Sequence, residues 1–212
     1  MRTTGDVWVV HGAEELFARA GHLFVGTTEL ACAANDLYTW VATQPRHVPP
    51  ELHPRSMRKL YRPGVLLQPS STQHLRTVAA RGTAVRISQD DINETIILDD
   101  RAVILAGAGH GADRNYSVIT QPDTIAGVRS LFEAAWRAST ELAVCDAQLA
   151  ELRTLAPRIL ELLGAGHKDE TAARNLGLSL RTYRRRVADV MRALGATSRF
   201  QAGVRARELG VL

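Results

Sequence analysis

The chain has 212 residues, 45% hydrophobic and 23% charged, with a formal net charge of +4 at pH 7, a balance that excludes a disordered chain and gives length for two folded units. It holds no run of about eighteen apolar residues, which excludes a membrane-spanning helix. Its first apolar run, VWVV, is too short for a secretory signal, so a cytoplasmic location is expected.

Through the first 138 residues short apolar runs alternate with helical patterns. The segments 7–10, 22–26, 64–68, 84–88, 94–99, 102–107 and 116–120 read as strands. Helical spacing fits 12–20, 28–42, 72–81 and 123–138, where Val128, Leu131, Phe132, Ala135 and Trp136 form one stripe. These elements predict an α/β domain with a mixed sheet at 1–138. Four prolines between Gln44 and Pro54 predict an irregular surface loop, and GAGHG at 107–111 reads as a hairpin loop because no helix follows it. Residues 139–151 read as a helical linker, part of a connecting helix over 139–153 whose Leu142, Leu149 and Leu152 are available for a partner chain.

This longer segment offers little for catalysis. Cys32 and Cys145 lie far apart without the spacing of a zinc site, and no two histidines share a helix at ligand spacing, so no metal and no cofactor are expected. A phosphate-accepting receiver domain needs an acceptor aspartate followed by a lysine. The only lysine before Lys168 is Lys59, which lies too early in the chain.

Charge gathers at the other end. Residues 1–150 carry fourteen basic and sixteen acidic side chains, whereas 151–212 carry twelve and six. A basic module beside a mildly acidic body is a footprint of nucleic-acid binding. Apolar spacing predicts four helices over 152–212. The first runs from Leu155 to the glycines at 164 and 166, with Pro157 in an early turn, and the second spans Asp169 to Leu176 with Asp169 as N-cap. Gly177 closes the second helix and Ser179 caps the third, over 180–194. The fourth opens on a Ser198/Gln201 capping box.

On the third helix Tyr183, Val187, Val190, Met191 and Leu194 share one stripe, and Arg181, Arg184, Arg185, Ala188 and Arg192 occupy the other face. A short helix, a tight turn and a longer basic helix form an all-α four-helix, helix-turn-helix domain, whose second helix of the pair enters the major groove of double-stranded DNA. Arg186 borders the apolar stripe, where its stem packs or its head meets a phosphate.

The stretch ILELLGAGHKDETAARNLGLSLRTYRRRVADVMRALGATSRFQA resembles the DNA-binding domain of LuxR-type (GerE-type) transcription regulators, without a gap. The agreement lies in LELLGAG, the A-x-x-L-G-L-S of the turn, the Arg-Thr pair and the closing L-G-A-x-S-R-x-Q-A. The resemblance implies base contacts by Arg184 and Arg185, and backbone contacts or supports by Thr182 and Arg199. With Lys168, Ser179, Arg181 and Arg186 these complete the expected DNA-binding set. It also implies a homodimer through the fourth helix and a pseudo-palindromic operator. Glu170 stands where a phosphate-binding lysine is common, a loss that Lys168 offsets. Ala156 stands where an acidic residue is usual, so an internal polar contact of the family is expected to be missing.

The segment RGTAVRISQDDINETIILDDRAVILAG is similar to the sensor part of TrmB-like regulators, related in turn to the phospholipase D fold. The phospholipase enzymes carry a His-x-Lys pair ahead of an aspartate. Counting back from Asp99, those places hold Ile92 and Glu94, neither of which attacks phosphorus or holds a phosphate. The expectation is a catalytically inactive domain that senses a signal or effector, or that oligomerises. A phosphodiesterase-like enzyme with a DNA-binding tail and a protein-interaction adaptor are the rival readings.

Overall fold

A computed structural model of the chain describes residues 7–37, 40, 54–90, 93–107 and 114–212. The edge strand β1 (Val7–His11) leads directly into α1 (Gly12–Phe24), and β2 (Glu29–Ala34) follows after a short turn. Then come β3 (Ser56–Tyr61), a 3-10 helix (Pro63–Leu67), α2 (Pro69–Ala80), β4 (Ala84–Ile87), β5 (Thr95–Leu98), β6 (Ala102–Ala106) and β7 (Asn115–Ile119). After α3 (Pro122–Ala138) the two-residue β8 (Thr140–Glu141) precedes α4 (Leu142–Gly164), α5 (Asp169–Asn175), α6 (Leu180–Ala193) and α7 (Arg199–Glu208).

Among the described residues the strands form one mixed eight-stranded sheet in the order β1-β7-β6-β5-β2-β3-β4-β8, parallel at β2–β3 and β3–β4 and antiparallel elsewhere. Alternation along β2 shows how it is covered. Cys32 and Ala34 join the core under α1, α2 and the start of α4, while Ala31 and Ala33 join Ile125 and Phe132 of α3 on the opposite face. The molecule is thus α/β, as the element pattern predicts.

Four elements differ from the sequence expectation. Residues 22–26 include the last turn of α1 and form no strand, and 64–68 fold largely as the 3-10 helix, all five of whose residues are buried. The expected helix at 28–42 contains β2. A strand buried on both faces reads as a continuous small and apolar run, indistinguishable by period from a buried helix. β3 escapes the apolar pattern because SMRKLY carries two cations. Arg58 lies over the rings of Phe132 and Trp136, 5.4 Å and 5.5 Å from their centroids, and pairs with Glu133 at 2.6 Å. The proline loop from Gln44 to His53 and the GAGHG loop beyond Gly107 lie outside the described residues.

The expected linker at 139–151 is not a separate element. Thr140 and Glu141 pair with Ile87 and Arg86 at the sheet edge, and α4 then runs unbroken past Pro157. Leu142 and Leu152 are buried, one in the sheet core and one in the core of the C-terminal helices, and Leu149 packs against both. These leucines are spent within the chain. Contact between the two regions continues at the 3-10 helix: Leu67 is buried among the C-terminal helices, and Gln68 Nε2 donates to the Gly210 carbonyl at 2.7 Å. No helix among the described residues is long and apolar enough to cross a membrane.

Candidate nucleic-acid interface

The turn between α5 and α6 is built by backbone bonding. Gly177 adopts φ 65°, a left-handed conformation that a side chain would strain, and donates to the Arg174 carbonyl at 3.1 Å. Leu178 N–H reaches back to the Ala173 carbonyl at 2.9 Å, which completes a Schellman closure of α5. Ser179 then caps α6 by accepting from Thr182 N–H at 3.1 Å, and the two hydroxyls meet at 2.9 Å. Lys168, not Asp169, holds the N-cap position of α5, and Asp169 is its first helical residue.

Because the cap fixes where α6 begins, it also fixes its faces. Tyr183, Val187, Val190 and Leu194 are buried, with Met191 packed beside them. Arg181, Arg184, Arg185 and Arg192 are exposed on the other side. The side chains of Arg181 and Arg185, like that of Lys168 at the N-cap of α5, make no hydrogen bond or ion pair among the described residues. Arg192 pairs with Asp189 at 2.9 Å. Arg186 departs from this face: its side chain is mostly buried and pairs with Glu151 on α4, so the packing alternative holds in this structure.

Arg184 and Arg199 are brought together by Asp169, whose place in the sequence suggests only a helix cap. Asp169 Oδ2 accepts from Arg184 Nε at 2.9 Å, and Arg199 donates to Oδ1 at 2.8 Å and to Oδ2 at 3.2 Å. Hydrogen bonds from Arg199 and then Arg184 hold the Asp169 carboxyl below the ordinary carboxylate range. Ala156 is fully buried, so the position usually acidic in the LuxR-type pattern supplies no charge, yet Arg199 still finds a carboxylate. Separations of 15 and 30 residues leave no periodic signal by which these pairs are found in sequence.

Of the phospholipase-like positions, Asp99 and Glu94 are described, and Ile92 lies outside the described residues. Asp99 sits at φ 49° in the turn before β6, where its carboxylate accepts from Glu29 N–H at 2.7 Å and from the Thr28 hydroxyl at 2.8 Å. Burial opposes its ionisation, but these bonds outweigh burial and hold its carboxyl below the ordinary range. Glu94 is buried and paired with Arg114, and accepts from Asn35 N–H at 3.0 Å. Both carboxylates are engaged in joining strands and turns.

No protein-family model matches the chain. The chain is 29% identical over 145 residues to the bialaphos biosynthetic pathway regulatory protein of Streptomyces hygroscopicus, an alignment covering 68% of this chain and 57% of that one. The chain thus spans little more than half the length of that relative. Among solved structures it is similar to TrmBL2, an archaeal chromatin protein with a novel mode of DNA binding, at 13% identity and a TM-score of 0.46 over 66% of this chain and 56% of that one. It is also similar to Nuc, a phospholipase D family member from Salmonella typhimurium, at 13% identity and a TM-score of 0.48 over 64% and 96%.

Proposed function

We propose that the protein is a DNA-binding transcription regulator that reads duplex DNA through a LuxR-type helix-turn-helix made by α5 and α6. The observation that carries this reading is the placing of Arg181, Arg184 and Arg185 on one exposed face in the first turns of α6. Cations there oppose the helix dipole by about 0.3–1 kcal/mol each. Like charges spaced three and four residues apart cost roughly 0.2–0.5 kcal/mol per pair. The arrangement lowers the stability of the isolated helix and is offset when a polyanion faces it. The likeness to a regulatory protein supports the same reading.

In this reading Arg184 and Arg185 meet base edges, while Lys168, Ser179, Arg181, Thr182 and Arg199 meet or support contacts to the phosphate backbone. Arg186 acts from behind, by tying α6 to Glu151. A homodimer would place two copies of α6 about one helical turn of DNA apart on a pseudo-palindromic operator. The sheet domain senses a signal or oligomerises. It acts by binding and not by turnover, because Glu94 and Asp99 are both committed to partners of their own.

Binding of the full chain to a random-sequence duplex pool tests the function. Enrichment of a sequence and a steep loss of affinity with rising salt are expected. A flat salt response, or retention of the pool without enrichment, would remove the basis for the reading.

A further inference from the structure

We propose that Asp169 is a specificity-determining positioning residue, which locks Arg184 by its Nε edge so that the terminal guanidinium nitrogens face the DNA as a preset fork. The inference rests on the DNA-binding reading above and adds a residue that carries no positive charge. Its basis is the contrast between the two ends of the contact. The Asp169 side chain is 13% exposed and the Arg184 side chain 58%, so the carboxylate is the fixed anchor and the guanidinium the presented group.

Three features fix that anchor. Asp169 is the first helical residue of α5, where the helix dipole favours a carboxylate. Arg199 of α7 engages both of its oxygens, which sets the plane of the carboxylate before Arg184 is considered. Arg184 then takes Oδ2 through Nε alone. Its Nη1 and Nη2 are left for another partner: the other nearby carboxylate, Glu170, is 61% exposed and stands 3.9 Å from Nη2, beyond hydrogen-bond distance. Two parallel N–H donors from one arginine match the O6 and N7 acceptors of guanine. A long side chain loses rotamer freedom when it is ordered on binding, and an arginine already held by Asp169 has less to lose.

The same carboxylate opposes general attraction to a polyanion. Its removal is therefore expected to act in two directions: affinity for any duplex rises or holds, while preference for one sequence falls. A side chain needed only for folding would lower both.

The test uses the full chain, the duplex that the wild-type protein enriches from a random-sequence pool, and the unselected pool. Asp169→Asn is expected to bind the unselected pool at least as tightly as wild type and to lose on the order of tenfold in the ratio of selected to unselected affinity. Arg184→Ala is expected to lose a similar ratio, and the double variant no more than Arg184→Ala alone, because both act through one contact. Arg184→Lys, altered only on the exposed face, keeps the charge but lacks the Nε–H and should lose selectivity too. A wild-type ratio in Asp169→Asn or Arg184→Lys, or losses that add in the double variant, would overturn the proposal. A wild-type protein that enriches no sequence overturns the DNA-binding reading itself, a separate outcome.

Discussion

Tyr183 is fully buried in the α6 stripe, yet its hydroxyl has no hydrogen-bond partner among the described residues. Burial pushes its phenol pKa upward, so the group stays neutral and its hydroxyl is desolvated without compensation. The ring supplies the contact that the stripe needs, and the oxygen adds only a cost. Tyr183→Phe should therefore leave the unfolding free energy unchanged or raise it by up to about 1 kcal/mol in urea denaturation. A loss of that size would mean that the hydroxyl has a partner in solution.

At the level of elements, the C-terminal helices were legible because each carries its own punctuation. Ser179 accepts from Thr182 N–H and Ser198 from Gln201 N–H, as their spacing suggests, and glycines 177 and 195 close α5 and α6. The capping-box bond of Gln201 goes elsewhere, to Thr197 N–H at 2.7 Å. The central sheet was less legible. β2 is buried on both faces and lacks alternation, β3 hides Arg58 under α3, and the 3-10 helix is as apolar as a strand. The candidate site divides in the same way. Which arginines face outward follows from the period of α6, but the Asp169 bridge and the Arg186–Glu151 pair depend on helices meeting in space. α4 hides a comparable link, because Asp146 is buried and accepts from Arg76 Nε at 2.6 Å and from Arg153. Arg153 in turn donates to the Leu66 carbonyl at 2.6 Å. Asp146→Ala strands the mostly buried Arg153, and a loss of about 2–3 kcal/mol in unfolding free energy is expected from chemical denaturation. Arg76→Ala should cost far less, since that partner is half exposed.

For the whole molecule, α4 decides whether the sheet and the C-terminal helices unfold together or apart. One end of α4 is buried in the sheet core, the other forms the floor of the helical core, and Leu67 crosses from the sheet side into that second core. Acid puts this to the test because depressed carboxylates occur along the whole chain. Asp99 lies in the turn between β5 and β6, Glu133 on α3, Asp146 on α4 and Asp169 on α5. Burial opposes ionisation at Asp146, but hydrogen bonds from Arg76 and Arg153 outweigh it, and Arg58 holds Glu133 down. Each folded pKa lies below its unfolded value. The stability these groups contribute is therefore present above the unfolded carboxylate range, near pH 4, and is lost as pH falls through the folded values. Burial also holds the His74 imidazole below its ordinary value. Unfolding free energy should therefore begin to fall as pH drops through the unfolded histidine value near 6.5, and decline further below about pH 5, where the carboxylates protonate. The three tryptophans, Trp8, Trp40 and Trp136, all precede α4, so their fluorescence follows the sheet region, whereas far-UV dichroism is weighted toward helices, including the four after the sheet. If α4 couples the two regions, acid unfolding followed by both signals should give one midpoint. Separate midpoints would show that the cores melt independently and that α4 joins them in sequence alone.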